Sequence, residues 1–211
     1  MKVLLKRKRE LLIVALLSLI YVSCFFLLEK IEFNHYIYTE LWIDNYIPFI
    51  DVFVVPYILW FAYIVLGFVF FILKDLKGYY RTLFYLFAGM YICLIIYTIF
   101  PNAQGLRVEG IGDTFFEQLV LQFYNNDTCT NVCPSIHVYN SIMMHVSLVK
   151  NKSFKDHKFI NYASLILCIS ICLSTVFIKQ HAAIDGVFSI GLCLIIYKAE
   201  QWFKKFYPKD I

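Results

Sequence analysis

The chain has 211 residues, 61% of them hydrophobic and 16% charged, with a formal net charge of +4 and a mean hydropathy of +0.68. A soluble domain cannot hold so apolar a surface in water, so the composition specifies an integral membrane protein. The basic residues are scattered between apolar runs instead of forming one stripe, which removes nucleic acid from the expected partners.

In chain order, residues 1–10 carry Lys2, Lys6, Arg7, Lys8 and Arg9, followed by an uncharged run from Leu11 to Leu28. The run is long for a signal peptide, and Glu29-Lys30-Ile31-Glu32 follows where a small-residue cleavage site would stand, so it reads as a retained first span. Residues 29–51 are acidic and aromatic, with Tyr36, Tyr38, Trp42 and Tyr46 suited to the headgroup level and room for an interfacial helix. A second span is expected from Val52 to Leu73, with Pro56 near its start, where the first turn lacks amide partners anyway. Lys74 to Arg81 reads as a short basic turn, and Thr82 to Phe100 as a third span. Residues 101–133 are the longest polar stretch, with a turn at Asn125-Asn126-Asp127. A short fourth span runs from Pro134 to Val149, and its start is expected to be sunk inside the protein; its Asn140, Ser141 and His145 should face other helices. Lys150 to Lys158 is a second basic turn, Phe159 to Phe177 a fifth span and Ala183 to Tyr197 a sixth, before a basic tail with Trp202 as an interfacial anchor.

Six alternating spans with a cytoplasmic N-terminus put every Lys and Arg except Lys30, Arg107 and Lys179 on the cytoplasmic side, 16 of the 19. The expected architecture is therefore all-α, a single-domain six-span bundle with both termini cytoplasmic. Of the seven cysteines, Cys24, Cys93, Cys168, Cys172 and Cys193 lie in apolar runs as small hydrophobes. Cys129 and Cys133 lie in the polar loop, either as an extracytoplasmic disulfide or as two free thiols. No paired Cys and His spacing suggests a metal site. His35 and His157 read as solvated loop residues, and Asp113 and Glu117 either sit over the mouth of a site or, as acidic loop residues usually do, simply face water.

Three stretches carry chemistry, and the topology brings all three to the extracytoplasmic face. In Ser174-Thr-Val-Phe-Ile-Lys-Gln-His181-Ala-Ala-Ile-Asp185, the histidine and aspartate lie about one helical turn apart, on one face. A carboxylate there holds an imidazole in one tautomer and stabilises positive charge on it; the plainer reading is a polar pair capping a helix. Cys133-Pro134-Ser135-Ile136-His137 supplies a second histidine at a plausible first helical turn, and Pro101-Asn-Ala-Gln-Gly-Leu-Arg107 an arginine. Histidine-based cleavage of a phosphate ester needs a nucleophilic nitrogen, a proton donor for the leaving oxygen and positive charge around the phosphoryl oxygens. His181 suits the first role with Asp185 orienting it, and His137 the second. Arg107, Ser135 and helix N-terminal amides suit the third, and the scheme requires no metal or other cofactor.

Together these stretches resemble the type 2 phosphatidic acid phosphatase (PAP2) superfamily, whose motifs are a lysine and arginine element, then Pro-Ser-Gly-His, then Ser-Arg followed by His and Asp. The resemblance covers about residue 50 to 198. It implies a phosphohistidine on His181, Asp185 as its partner, His137 as acid, and Arg107, Ser135 and Ser174 as phosphate-binding positions. The departures are Phe100 for the first-motif lysine, Val108 for the proline after the arginine, Ile136 for glycine and Thr175 for the third-motif arginine. Lys179, two residues before His181, either replaces the missing cations or faces lipid headgroups. With fewer flanking cations, the pattern is similar to the branch near inositolphosphorylceramide and sphingomyelin synthases.

The resemblance implies metal-independent hydrolysis of a lipid phosphomonoester or a polyprenyl diphosphate, with membrane lipids as surroundings and the lipid phosphate as partner. The alternatives are a lipid phosphotransferase, or a lipid-binding or transport protein on the same scaffold. The compact chain without sorting signals suits a prokaryotic plasma membrane.

Overall fold

The computed structural model describes residues 7–151, 154 and 157–206. Lys2, Lys6, Lys152, Lys155 and Lys209, which belong to the expected cytoplasmic basic segments, lie outside the described residues. Seven helices make up most of the rest: α1 (Lys8–Glu29), α2 (Val54–Lys74), α3 (Leu76–Ile99), α4 (Phe115–Asn126), α5 (Ile136–Val149), α6 (Lys158–Phe177) and α7 (Ala183–Phe206). Beside them is one two-residue parallel pair, β1 (Ile37–Tyr38) with β2 (Asn102–Ala103), which ties the loop after α1 to the loop after α3.

Among the described residues, four segments are long and apolar enough to cross a membrane: Lys8–Glu29, Asp51–Lys74, Leu76–Ile99 and Lys158–Phe177. The 14 residues of α5 rise only about 21 Å. The 24 residues of α7 are apolar in the first half and carry Lys198 and Glu200 in the second.

Two local readings change. The expected basic turn between the second and third spans shrinks to Asp75. Its carboxylate accepts the Gly78 amide at 3.0 Å and caps α3, so Lys77 and Arg81 sit on the helix. The long polar stretch after α3 also contains a helix, α4. A capping box opens it: Thr114 Oγ1 accepts from the Glu117 amide, and Glu117 returns a carboxylate oxygen to the Thr114 amide, both at 3.1 Å. The Gly112, Thr114 and Asp113 amides around this carboxylate hold it below its ordinary pKa.

The helices alternate between two ends. At one end Tyr79 donates to the Glu10 carbonyl (2.6 Å), Asn151 donates to Asp75, and Lys150 pairs with Glu200 at 3.3 Å while lying over the Tyr197 ring. At the other end Glu29, the loops after α1 and α3, the start of α5 and the α6–α7 connection meet. The centre is α5, which packs against α2, α3, α6 and α7, whereas α1 packs chiefly on α3. His145 meets Ser164 of α6 at 2.9 Å, and Ser164 meets Tyr63 of α2 at 2.7 Å, the buried polar contact expected of that histidine.

The close approach of α3 to α5 depends on Gly89. A Cβ there would lie 1.9 Å from the ring of Tyr139, a fully buried side chain whose hydroxyl donates to the Tyr85 carbonyl. At Gly67 a Cβ would meet only the flexible end of Met144, at 2.4 Å. Gly89→Ala should therefore destabilise by about 1–3 kcal/mol, the usual cost of overpacking, and Gly67→Ala by clearly less. Thermal unfolding of the two variants in one detergent checks this, and equal shifts would contradict it.

Candidate functional site

The site is assembled from two chain reversals that hydrogen-bond to each other. Before α5, Asn102 satisfies the approaching strand of chain: its Oδ1 accepts from the Val132 and Cys133 amides (2.8 and 2.7 Å), and its Nδ2 donates to the Cys133 carbonyl at 3.0 Å. Tyr97 donates to the Pro134 carbonyl at 2.5 Å. Ser135 caps α5 through its hydroxyl, which accepts from the Val138 amide. After α6, the Thr175 carbonyl accepts from the amides of both Gln180 and His181 at 3.0 Å, and Lys179 sits in the left-handed region at φ 55°. The two reversals join where the Ser135 amide donates to the Asp185 carbonyl (3.3 Å) and Ser189 Oγ donates to the Ser135 carbonyl (2.9 Å).

This framework brings His137, His181 and Asp185 together. His181 Nδ1 lies 3.3 Å from Asp185 Oδ2, an oxygen that also accepts the Ala182 amide at 3.0 Å. The contact directs Nδ1 to the carboxylate and leaves Nε2 as the ring nitrogen available to a reactant. His137 faces His181 with ring centroids 5.9 Å apart. Its own ring stacks on Tyr57 at 4.4 Å and lies 4.4 Å from Trp60, so α2 fixes its orientation. Asp185 is fully buried, and its Oδ1 has no hydrogen-bond partner. The Cys133 thiol is nearby; burial first, and the Asp185 charge second, push its pKa up. Cys129 and Cys133 are both free thiols.

Both histidines line a cavity of about 330 Å³, whose other walls include Tyr21, Phe25 and Tyr57 on the apolar side and Asp127 and Gln180 on the polar side. The four expected phosphate-binding residues do not line it. Arg107 donates through Nη1 to the Tyr124 and Asp127 carbonyls (2.7 and 3.0 Å), and through Nη2 to the Thr128 carbonyl (2.8 Å) and Gln180 Oε1 (3.2 Å). It holds the C-terminus of α4, whose last carbonyls have no helical partners. Lys179 reaches away from the histidines and donates to the Asp44 and Ile47 carbonyls at 2.9 and 2.6 Å. Burial lowers its pKa, and the Asp44 carboxylate offsets part of that. Ser135 is occupied as the cap of α5, and Ser174 donates to the Ile171 carbonyl of its own helix at 2.6 Å.

Three contributing residues escaped the sequence reading. Asp44, buried in the loop after α1, accepts the Ala183 amide at 2.8 Å and the Leu41 amide at 2.7 Å, so it caps α7 from 139 residues away. Gln180 relays Arg107 to the cavity wall, and its Nε2 is buried without a partner. Asp127 ends α4 and lines the cavity. Such long-range partners leave no local spacing to read. Among the described residues, no three His, Cys, Asp or Glu side chains are grouped so as to hold a metal ion. Comparison with protein-family models, curated proteins and solved structures gave no match for this chain.

Burial, followed by the charge of Glu29, raises the Asp127 pKa above its ordinary 3.8, while His181 and Arg107 pull it down less. Between the ordinary and the raised value the folded protein binds more protons than the unfolded chain, so stability falls as pH rises through that window. Asp127→Asn should therefore unfold at a higher temperature than the wild type at pH 7.5, and the gap should close near pH 4. A variant equal to or less stable than the wild type at pH 7.5 would refute this account.

Proposed function

We propose that the protein is a metal-independent lipid phosphate phosphatase of the membrane, acting through a phosphohistidine. The carrying observation is the His181–Asp185 pair facing His137 across 5.9 Å at the head of an apolar cavity. In this reading the phosphoryl group sits beside the two rings in the cavity that both line, within reach of each. His181 Nε2 attacks phosphorus, the bond to the alkyl oxygen breaks, and His137 delivers a proton to that oxygen. Asp185 stabilises the charge that develops on His181. His137, now unprotonated, then takes a proton from water as the water attacks the phosphohistidine, and inorganic phosphate leaves.

In this reading the bundle has six spans and both termini cytoplasmic. The separation of basic residues between its ends supports that orientation, with the histidines extracytoplasmic. The short α5 crosses as part of a surrounded core, and α7 crosses with its apolar half.

One observation favours a second reading, transfer of a phosphoryl headgroup from a phosphodiester lipid to another lipid's hydroxyl. Among the described residues no Lys or Arg lines the cavity, and Asp127 does. A diester carries one negative charge where a monoester carries up to two, and so needs less compensation.

Phosphate release by purified protein in detergent, with chelator present, separates the readings. The substrates are phosphatidate, phosphatidylglycerol phosphate and a polyprenyl diphosphate. Release that persists in chelator and drops by at least about 10³-fold in His181→Ala, with a comparable loss in His137→Ala, supports the phosphatase. Transfer of a labelled headgroup to an added lipid alcohol, without release, supports the transferase. Neither activity in folded protein overturns both.

A further inference from the structure

A second cavity of about 420 Å³ opens between α1, α2 and α3. It shares Tyr21, Val22, Trp60, Phe61 and Met90 with the cavity at the histidines, so the two form one groove with His137 at its head. Along α2 the groove runs from Trp60 to Ile72, about 18 Å at 1.5 Å per residue, roughly the depth of one leaflet. Its walls are mostly apolar; their polar groups are the Ser18 hydroxyl, the Tyr21 hydroxyl and Trp60 indole N–H, both buried without a partner, and the Asn140 amide. Asn140 of α5 lines it, is 1% exposed, and its Oδ1 has no hydrogen-bond partner.

Of the other polar side chains of α5, Ser147 is likewise buried without a partner for its hydroxyl, but it does not line the groove. Ser141 donates to the His137 carbonyl at 2.7 Å, and His145 is engaged with Ser164. A buried amide oxygen without a donor in an apolar wall is costly, because hydrocarbon cannot supply one. Asn140 follows His137 by three residues, a rise of about 4.5 Å along the helix. That is about the distance from a bound phosphorus to a substituent on the carbon next to the one bearing the phosphate.

Resting on the reading of the histidine pair as a lipid phosphate site, we propose that Asn140 is a specificity-determining residue. Its Oδ1 accepts an O–H or N–H from the backbone of the bound lipid, whose hydrocarbon chain lies in the groove below. The site therefore selects lipid phosphates that carry a hydrogen-bond donor beside the phosphate-bearing carbon, over those that carry an ether or ester there. Phosphatidate and polyprenyl diphosphates lack that donor. A lysophosphatidate has it, as the free hydroxyl on the middle glycerol carbon.

The test compares 1-acyl lysophosphatidate with its 2-O-methyl ether, which has the same chain and phosphate but no donor. Phosphate release by the wild type should show kcat/KM higher for the hydroxyl lipid by about fivefold, the factor that one net hydrogen bond supplies. In Asn140→Leu the two lipids should be turned over within about twofold of each other. The same pair is titrated into His181→Ala and into His181→Ala with Asn140→Leu, reading the thermal shift, so that binding is measured without turnover. Lipid-free Asn140→Leu should unfold no lower than the wild type, since it replaces an unpaired buried amide with an apolar side chain. No discrimination in the wild type, or discrimination that survives Asn140→Leu, overturns the proposal even when phosphate is released. Discrimination in binding that depends on Asn140 upholds it even when no lipid is hydrolysed, in which case the phosphatase reading fails alone.

Discussion

The bond from the Ser135 amide to the Asp185 carbonyl, with Ser189 bridging the same two residues, is the contact on which the site depends. It fixes the first turn of α5 against the first turn of α7, and His137 and His181 face each other as a result. The need for it follows from the shortness of α5. A helix of 14 residues surrounded by four others has its start enclosed, and Val132, Pro134 and Ser135 before it are buried. Its first amides and the preceding carbonyls then lie where water does not reach, so protein must satisfy them. Asn102, Tyr97 and Ser189 do so from three other segments. The histidines inherit their precision from this backbone pairing, since neither is positioned by its own local sequence alone.

The cations near the site serve the same framework. Arg107 and Lys179 look from the sequence like anion ligands, yet each closes a set of loop carbonyls. A guanidinium with four N–H groups engaged cannot turn to a phosphate without orphaning the end of α4. The local field of the cavity is consequently set by two imidazoles, the Gln180 amide and a partly buried Asp127, a weakly basic surrounding compared with a cluster of arginines. On the proposed reading, such a cavity would grip a lipid through the apolar groove and hydrogen bonds rather than through paired charges. Binding energy from the tail, remote from the reacting bond, is then what can orient the headgroup.

Most of the helices were legible because hydropathy and charge asymmetry are strong, additive signals over about 20 residues. The start of α5 and the start of α7 were legible because Pro134, Ser135 and the His181–Asp185 spacing carry local geometry. The single-residue turn at Asp75 was missed because Lys74, Lys77 and Arg81 look like a loop until the aspartate is recognised as a cap. The helix α4 was announced by Thr114 and Glu117, an S/T-x-x-E pattern, but its surroundings were polar enough to hide it. The roles of Arg107 and Lys179 were not legible at all. Their partners are main-chain carbonyls, which every residue has, so no side-chain pattern records them. Asp44 is the same case in reverse, a carboxylate that meets amides 139 residues away.

The position of α1 connects the fold to the groove. Only 11% of its most apolar 18-residue window is buried within the protein, and it rests chiefly on α3. Were α1 packed fully against α2, the space between Tyr21, Trp60 and Phe61 would close and the histidines would be reached only from water. Leaving one helix apart costs little in a bilayer, where lipid solvates the apolar faces as well as another helix does. The same gap in water would collapse. Surrounding lipid would therefore permit an opening between α1 and α2 beside His137, and on the proposed reading a chain that enters there exchanges one hydrocarbon surrounding for another. If the histidines act on lipids as proposed, discrimination among them cannot come from the chain and falls to the few polar atoms in the groove wall, of which Asn140 lies one turn from His137.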